Sequence, residues 1–124
     1  MIPTINVLDG FFLHIQKPMG KYMTCGIQKM QEEQFDCVID VNLKGTFQVC
    51  KAVLPSMIER GEGSIVNLAS IEGLEGVQAQ PAYNASKGGV ILLTKNMAVD
   101  YGGMGIRVNC LCPGLIDTPM TAIL

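Results

Sequence analysis

The chain has 124 residues, 48% of them hydrophobic and 16% charged, and a formal net charge of −2. That length fits one small domain, and without a basic cluster nothing points to nucleic acid as a partner. No apolar run reaches the roughly 18 residues of a membrane span, and the start lacks the basic and long apolar pattern of a secretory signal. The low charged fraction is expected of a surface partly covered by other protein.

The five cysteines (25, 37, 50, 110 and 112) are odd in number and have neither framework nor Cys-x-x-Cys spacing. Free thiols in a reducing cytoplasm are therefore expected. With a single histidine, His14, no metal site is expected, because structural zinc wants four ligands.

Residues 1–33 carry the weakest pattern. Residues 11–15, FFLHI, can form a short buried strand, and Pro18 and Gly20 then break it. A helical stripe begins at Gln31. Phe35, Val38, Ile39, Asn42, Leu43, Cys50, Val53, Leu54 and Met57 recur at three- and four-residue spacing. Asn42 is the polar exception on this face. A buried amide needs partners, so Asn42 ties a local backbone irregularity together, serves a site, or does both. Pro55 is expected to kink or end the helix, and residues 61–63, GEG, to turn the chain.

Residues 64–70, SIVNLAS, form a nearly continuous apolar run that suits a parallel strand covered on both faces. Gly73 and Gly76 mark the loop behind it. A helix is predicted from near Pro81, a favoured first-turn residue, to Gly102 and Gly103. Residues 106–112, IRVNCLC, are the next strand, on which Cys110 and Cys112 share a face. Strand, helix and strand at this spacing make a βαβ unit. Ser70 and the pair Pro113 and Gly114 then fall at the C-terminal ends of neighbouring strands, where open α/β sheets bind ligands.

Tyr83 and Lys87 lie four residues apart on the predicted helix and so share a face. A free phenol has a pKa of about 10, and a neighbouring cation lowers it. Such a tyrosine can pass a proton to or from an alcohol or carbonyl oxygen. Taken alone, a Tyr-x-x-x-Lys more often packs and solvates than reacts. Here it comes with Asn42 on its stripe, Ser70 thirteen residues before Tyr83, and residues 112–118, CPGLIDT, after the second strand.

In this combination the chain resembles the short-chain dehydrogenase/reductase family from Gln34 to about Met120. The resemblance implies an α/β fold: a partial Rossmann-like, doubly wound parallel sheet, truncated. Residues 1–33 match poorly, and residues 34–124 correspond to the catalytic portion. It implies NAD(P)-dependent interconversion of a small-molecule alcohol and ketone. The implied catalytic residues are Asn42, Ser70, Tyr83 and Lys87. Tyr83, Lys87, Pro113, Gly114, Ile116 and Thr118 would face the nicotinamide end of NAD or NADP. The family's Asn-Asn-Ala-Gly is not matched: Gly20 aligns with its glycine, but Lys17, Pro18 and Met19 precede it. No Gly-x-Gly-x-x-Gly occurs, so this chain alone is expected to bind the dinucleotide poorly. A homo-oligomer, or pairing with a longer homologue, is expected from the sheet edge and the two long helices. Two alternatives stay open: a non-catalytic fragment or isoform that associates with a full-length homologue, and a structural α/β remnant with no partner.

Overall fold

The computed structural model describes residues 25–117. The strand expected at 11–15, with His14, and Gly20 and Thr118 lie outside the described residues. Three α-helices and two strands make up the described part: α1 (Glu32–Ile39), α2 (Gly45–Arg60), β1 (Gly63–Leu68), α3 (Pro81–Tyr101) and β2 (Ile106–Leu111).

Helix α1 starts with a reciprocal cap. The Gln31 N–H donates to the Gln34 side chain at 3.0 Å, and the Gln31 side chain accepts from the Gln34 N–H. Between α1 and α2 the chain stays helical but widens into one π turn over Asp40–Lys44. Asn42 lies in that turn, and the Thr46 hydroxyl donates to its carbonyl at 2.7 Å. Pro55 does not end the helix: α2 runs on to Arg60 with Pro55 inside it. Its ring faces solvent, as does Lys51 one turn back, so water can take the carbonyl that loses its partner. The buried neighbours Leu54 and Met57 hold the helix on the core.

β1 and β2 pair in parallel, with Gly63 opposite Ile106 and Leu68 opposite Leu111. Residues of alternate parity face opposite sides. Ile65, Ile106 and Val108 pack with Cys50, Leu54, Met57 and Met97, so α2 and α3 cover the same face of the sheet. Burial of this apolar face supplies the main driving force for the described part. On the other face Ser64, Val66 and Leu68 of β1 are half-buried, so the expected cover on both sides is met there only in part, while Arg107, Asn109 and Leu111 of β2 are exposed. Asn67 is the polar residue on the buried face. Its amide donates to the Thr94 hydroxyl at 2.9 Å, and its oxygen accepts from the Cys50 thiol at 3.5 Å.

The glycine turn after α3 also differs in detail from expectation. Gly102 keeps helical angles, and the chain makes one further tight turn, Gly102–Met104. The left-handed conformation falls on Gly105, with φ +79°. A Cβ on Gly105 would also collide with the Gly61 carbonyl oxygen, so glycine is required there twice over.

Candidate active site

Three segments meet beyond the C-terminal ends of the two strands. Ser70 follows β1 in extended conformation, and its hydroxyl accepts the Glu72 N–H at 3.2 Å, opening a tight turn over Ile71–Gly73. The Ile71 N–H donates to the Pro113 carbonyl at 3.1 Å, which ties this turn to the segment after β2. The start of α3 closes on the same turn. Asn84 donates to the Glu72 carbonyl at 2.6 Å and accepts the Val77 N–H at 3.3 Å.

Gly73 permits that close approach. A Cβ there would lie 2.6 Å from the Lys87 carbonyl carbon and 2.8 Å from its oxygen. Helix backbone cannot yield as a flexible side chain can. Gly73→Ala is therefore expected to cost about 1–3 kcal/mol, by pushing the Ser70 turn off α3. Thermal unfolding of the variant checks this, and an unchanged melting temperature would contradict it.

Tyr83 and Lys87 occupy the first two turns of α3. The Ser70 hydroxyl is within hydrogen-bonding reach of the Tyr83 phenol. Lys87 is only 7% exposed. Its ammonium donates to the Leu68 carbonyl at 3.1 Å and stands 5.6 Å from the centre of the Tyr83 ring. Asn42 reaches the same helix from the π turn. Its amide donates to the Ser86 hydroxyl at 3.0 Å, and that hydroxyl donates to the Tyr83 carbonyl at 2.8 Å. Ser70, Tyr83 and Lys87 are thus gathered directly, and Asn42 joins them through Ser86, the residue before Lys87.

Burial pushes the Tyr83 phenol above its usual pKa, the Ser70 hydroxyl pulls it down, and the negative charge of Glu72 pushes it up. Burial pushes the Lys87 ammonium below the ordinary lysine range, with nearby Cys110 working the other way. The sequence led to an expected downward pull on the phenol from Lys87. In this structure the net shift runs upward, and Lys87 is held on the end of β1.

Pro113 is placed by its bond to Ile71, and the side chain of Ile71 would lie 3.8 Å from a Cβ on Gly114. Ile116 is exposed.

Residues 19–124 match the family model for short chain dehydrogenases. This chain belongs to the short-chain dehydrogenase family. The match begins nearer the N-terminus than the resemblance at Gln34. The chain is 55% identical over 89 residues to 2-(R)-hydroxypropyl-CoM dehydrogenase of Xanthobacter autotrophicus, covering 72% of this chain and 36% of that protein. It is 48% identical to levodione reductase of Leifsonia aquatica, over 91% of this chain and 41% of the relative. Among solved structures it resembles 4-hydroxyisoleucine dehydrogenase complexed with NADH and succinate. There the TM-score is 0.76 and the identity 39%, over 82% of this chain and 44% of that one. The chain thus spans about two fifths of the length of these Rossmann-like relatives, and what it shares with them is a truncated parallel α/β unit.

In this short-chain dehydrogenase several positioning residues were not singled out from sequence. Ser86 is fully buried and bridges Asn42 to α3. Asn84 anchors the Ser70 turn. Gly89 lets Leu43 of the π turn approach α3, since a Cβ would lie 2.7 Å from its methyl carbon. The signal for Asn84 and Ser86 lay inside the Tyr-x-x-x-Lys itself, where small polar residues sit between the two reactive ones.

Proposed function

We propose that this short-chain dehydrogenase carries the reaction centre of an NAD(P)-dependent oxidoreductase that interconverts an alcohol and a ketone. The observation that carries the reading is the Ser70–Tyr83 hydroxyl pair at the end of β1, with the buried Lys87 ammonium one helical turn along. The residues fit the nicotinamide end of such a cofactor. Lys87 has three N–H donors, of which Leu68 takes one, so ribose hydroxyls can take others. Pro113, Gly114 and Ile116 would supply the adjoining wall; Leu115 and Ile116 are 79% and 57% exposed.

When bound, a nicotinamide gives or takes the hydride. The chain handles the proton and the orientation. Ser70 holds the substrate oxygen. Tyr83 donates its proton to that oxygen in ketone reduction and takes it back in alcohol oxidation. Lys87 favours the phenolate when its charge is held close, and Asn42 holds a water that links the lysine to solvent. Either NAD or NADP is compatible with these residues. Five free cysteines and the absence, among the described residues, of any helix long and apolar enough to cross a membrane support our placing the protein in the cytoplasm.

Ser70→Ala tests the assignment of the substrate oxygen. Turnover is expected to fall about tenfold or more, while cofactor affinity changes little. Equal losses in both, read by steady-state kinetics and a cofactor titration on the enzyme that carries this chain, would contradict it.

The finer proposal for partners is a homo-oligomer. Phe47, Leu54, Ile58, Leu93 and Tyr101 line a groove of about 390 Å³ between α2 and α3. Phe47 and Ile58 in it are 46% and 42% exposed, and a second copy of the same helix pair would cover them. Light scattering on dilute protein should give a mass above the monomer; a monodisperse monomer would contradict this.

A further inference from the structure

Ser86 serves two neighbours with one hydroxyl. It is fully buried on α3. Its proton goes to the Tyr83 carbonyl at 2.8 Å, a bond back to the preceding helical turn. A hydroxyl has one proton and two lone pairs, so toward Asn42 it can only accept. The Asn42 group that faces it at 3.0 Å is therefore the NH2, and the amide oxygen is turned away from Ser86. By shape alone either end of an amide fits such a place. Turned round, the amide would set its oxygen against a hydroxyl oxygen whose proton is already committed, and one of the two bonds would be lost.

The π turn leaves Asn42 little other freedom. Its backbone carbonyl already accepts the Thr46 hydroxyl at 2.7 Å. Leu43, the next residue, is pressed against α3 one turn beyond Ser86, where a Cβ on Gly89 would lie 2.7 Å from its methyl carbon. Among the described residues the side-chain oxygen of Asn42 has no donor, and it is not one of the buried unpaired atoms, so water can reach it.

We propose that Ser86 is a positioning residue that fixes which way round the Asn42 amide stands, and so makes Asn42 an acceptor toward the water it holds. This deepens, and rests on, the reading of Asn42, Tyr83 and Lys87 as parts of one reaction centre. The direction matters because an ammonium has only donors to offer. A water beside Lys87 accepts from it and donates its own O–H to an acceptor. With the amide oxygen outward, every hydrogen bond points the same way: Lys87 to water, water to Asn42, Asn42 to Ser86, and Ser86 to the Tyr83 carbonyl. Bonds aligned in this way polarise and strengthen one another. With the amide reversed, the water would meet two donors, and the ammonium would lose the acceptor that supports its charge.

Ser86→Ala, Asn42→Ala and the double variant test this in the enzyme that carries this chain. Alanine at position 86 suits the helix and removes only the hydroxyl. In Ser86→Ala, kcat for alcohol oxidation is expected to fall about three- to tenfold, the worth of one neutral hydrogen bond, with KM little changed. In the Asn42→Ala background the same substitution should change kcat by less than about twofold, because Ser86 acts through Asn42. Equal losses in both backgrounds, or no loss in either, would overturn the proposal. A second readout does not need turnover: solvent exchange of the two side-chain amide protons of Asn42, followed by NMR in the asparagine-labelled full chain and assigned with Asn42→Ala. The proton held by Ser86 is expected to exchange about tenfold more slowly than its twin, and the difference should vanish in Ser86→Ala. Equal exchange of the two protons in the parent, or a difference that survives in Ser86→Ala, would also overturn it. Should the difference appear and vanish as expected while neither alcohol nor ketone is turned over, the redox reading fails and the fixing of Asn42 by Ser86 stands.

Discussion

Tyr83→Phe is expected to lower turnover by about a hundred- to ten-thousandfold, the usual contribution of a positioned acid or base. The variant keeps the ring and removes one oxygen. The ring is half-buried between the Ser70 turn and Lys87, so its packing survives. The Ser70 oxygen still accepts from the Glu72 N–H, so the substitution leaves it paired. Folding and catalysis therefore separate: the melting temperature moves little while kcat collapses. If Tyr83 merely packed, the same substitution would be nearly silent in both. Steady-state kinetics beside a thermal melt distinguish the two, and retention of most of the turnover would remove Tyr83 from the mechanism.

Lys87→Met is expected to have the next largest effect, and its sign follows from the charges around the phenol. Among the described residues, Lys87 stands over the Tyr83 ring from its own helix, while neutral Ser70 and acidic Glu72, from the end of β1 and the following turn, bear on its phenol. Burial and Glu72 already push the phenol above its usual value. Methionine keeps most of the lysine stem and takes away the one cation over the ring among the described residues. Alcohol oxidation needs the phenolate, which forms as pH rises through the pKa of the phenol. Without the ammonium that pKa stays above the ordinary value of about 10, so the remaining activity should climb only at alkaline pH. The variant also frees the Leu68 carbonyl, a loss of about 1 kcal/mol. A pH profile of kcat/KM checks the point: a rise at the same pH as in the parent enzyme would mean that Lys87 does not tune Tyr83.

Much of this arrangement was legible in the sequence because it rests on periodicity and on local turn chemistry. The apolar spacing from Gln31 onward marked the helical stretch, and Pro81 and Gly102 bracketed α3 to within a residue. The run at 64–70 and the one at 106–112 gave the two parallel strands, each shorter by one or two residues at its C-terminal end. The site residues Ser70, Tyr83 and Lys87 could be placed together because parallel strands align their ends. What stayed hidden depends on contacts between distant segments. The π turn at Asp40–Lys44 leaves the apolar spacing on either side intact, so nothing in the pattern betrays it. Asn42 was recognised as out of place on an apolar stripe, yet its partner, Ser86, lies forty-four residues away. Pro55 does not end α2, because a missing N–H matters less on a solvent-facing side than burial of its neighbours Leu54 and Met57. Glu72 reads in sequence as an ordinary loop acid. Only the fold brings its backbone between the Ser70 hydroxyl and Asn84.

The most direct measurement follows the hydride itself. The enzyme carrying this chain is given a ketone and a reduced nicotinamide bearing deuterium at its transferable position, and the alcohol product is examined by mass spectrometry and NMR. Deuterium is predicted on the carbinol carbon, with the hydroxyl proton drawn from solvent through Tyr83. The transfer should fall with Tyr83→Phe by the same factor as turnover. Deuterium absent from the carbinol carbon of the product, or a transfer rate indifferent to Tyr83→Phe, would contradict the assignment of Tyr83 and Lys87 as the reaction centre.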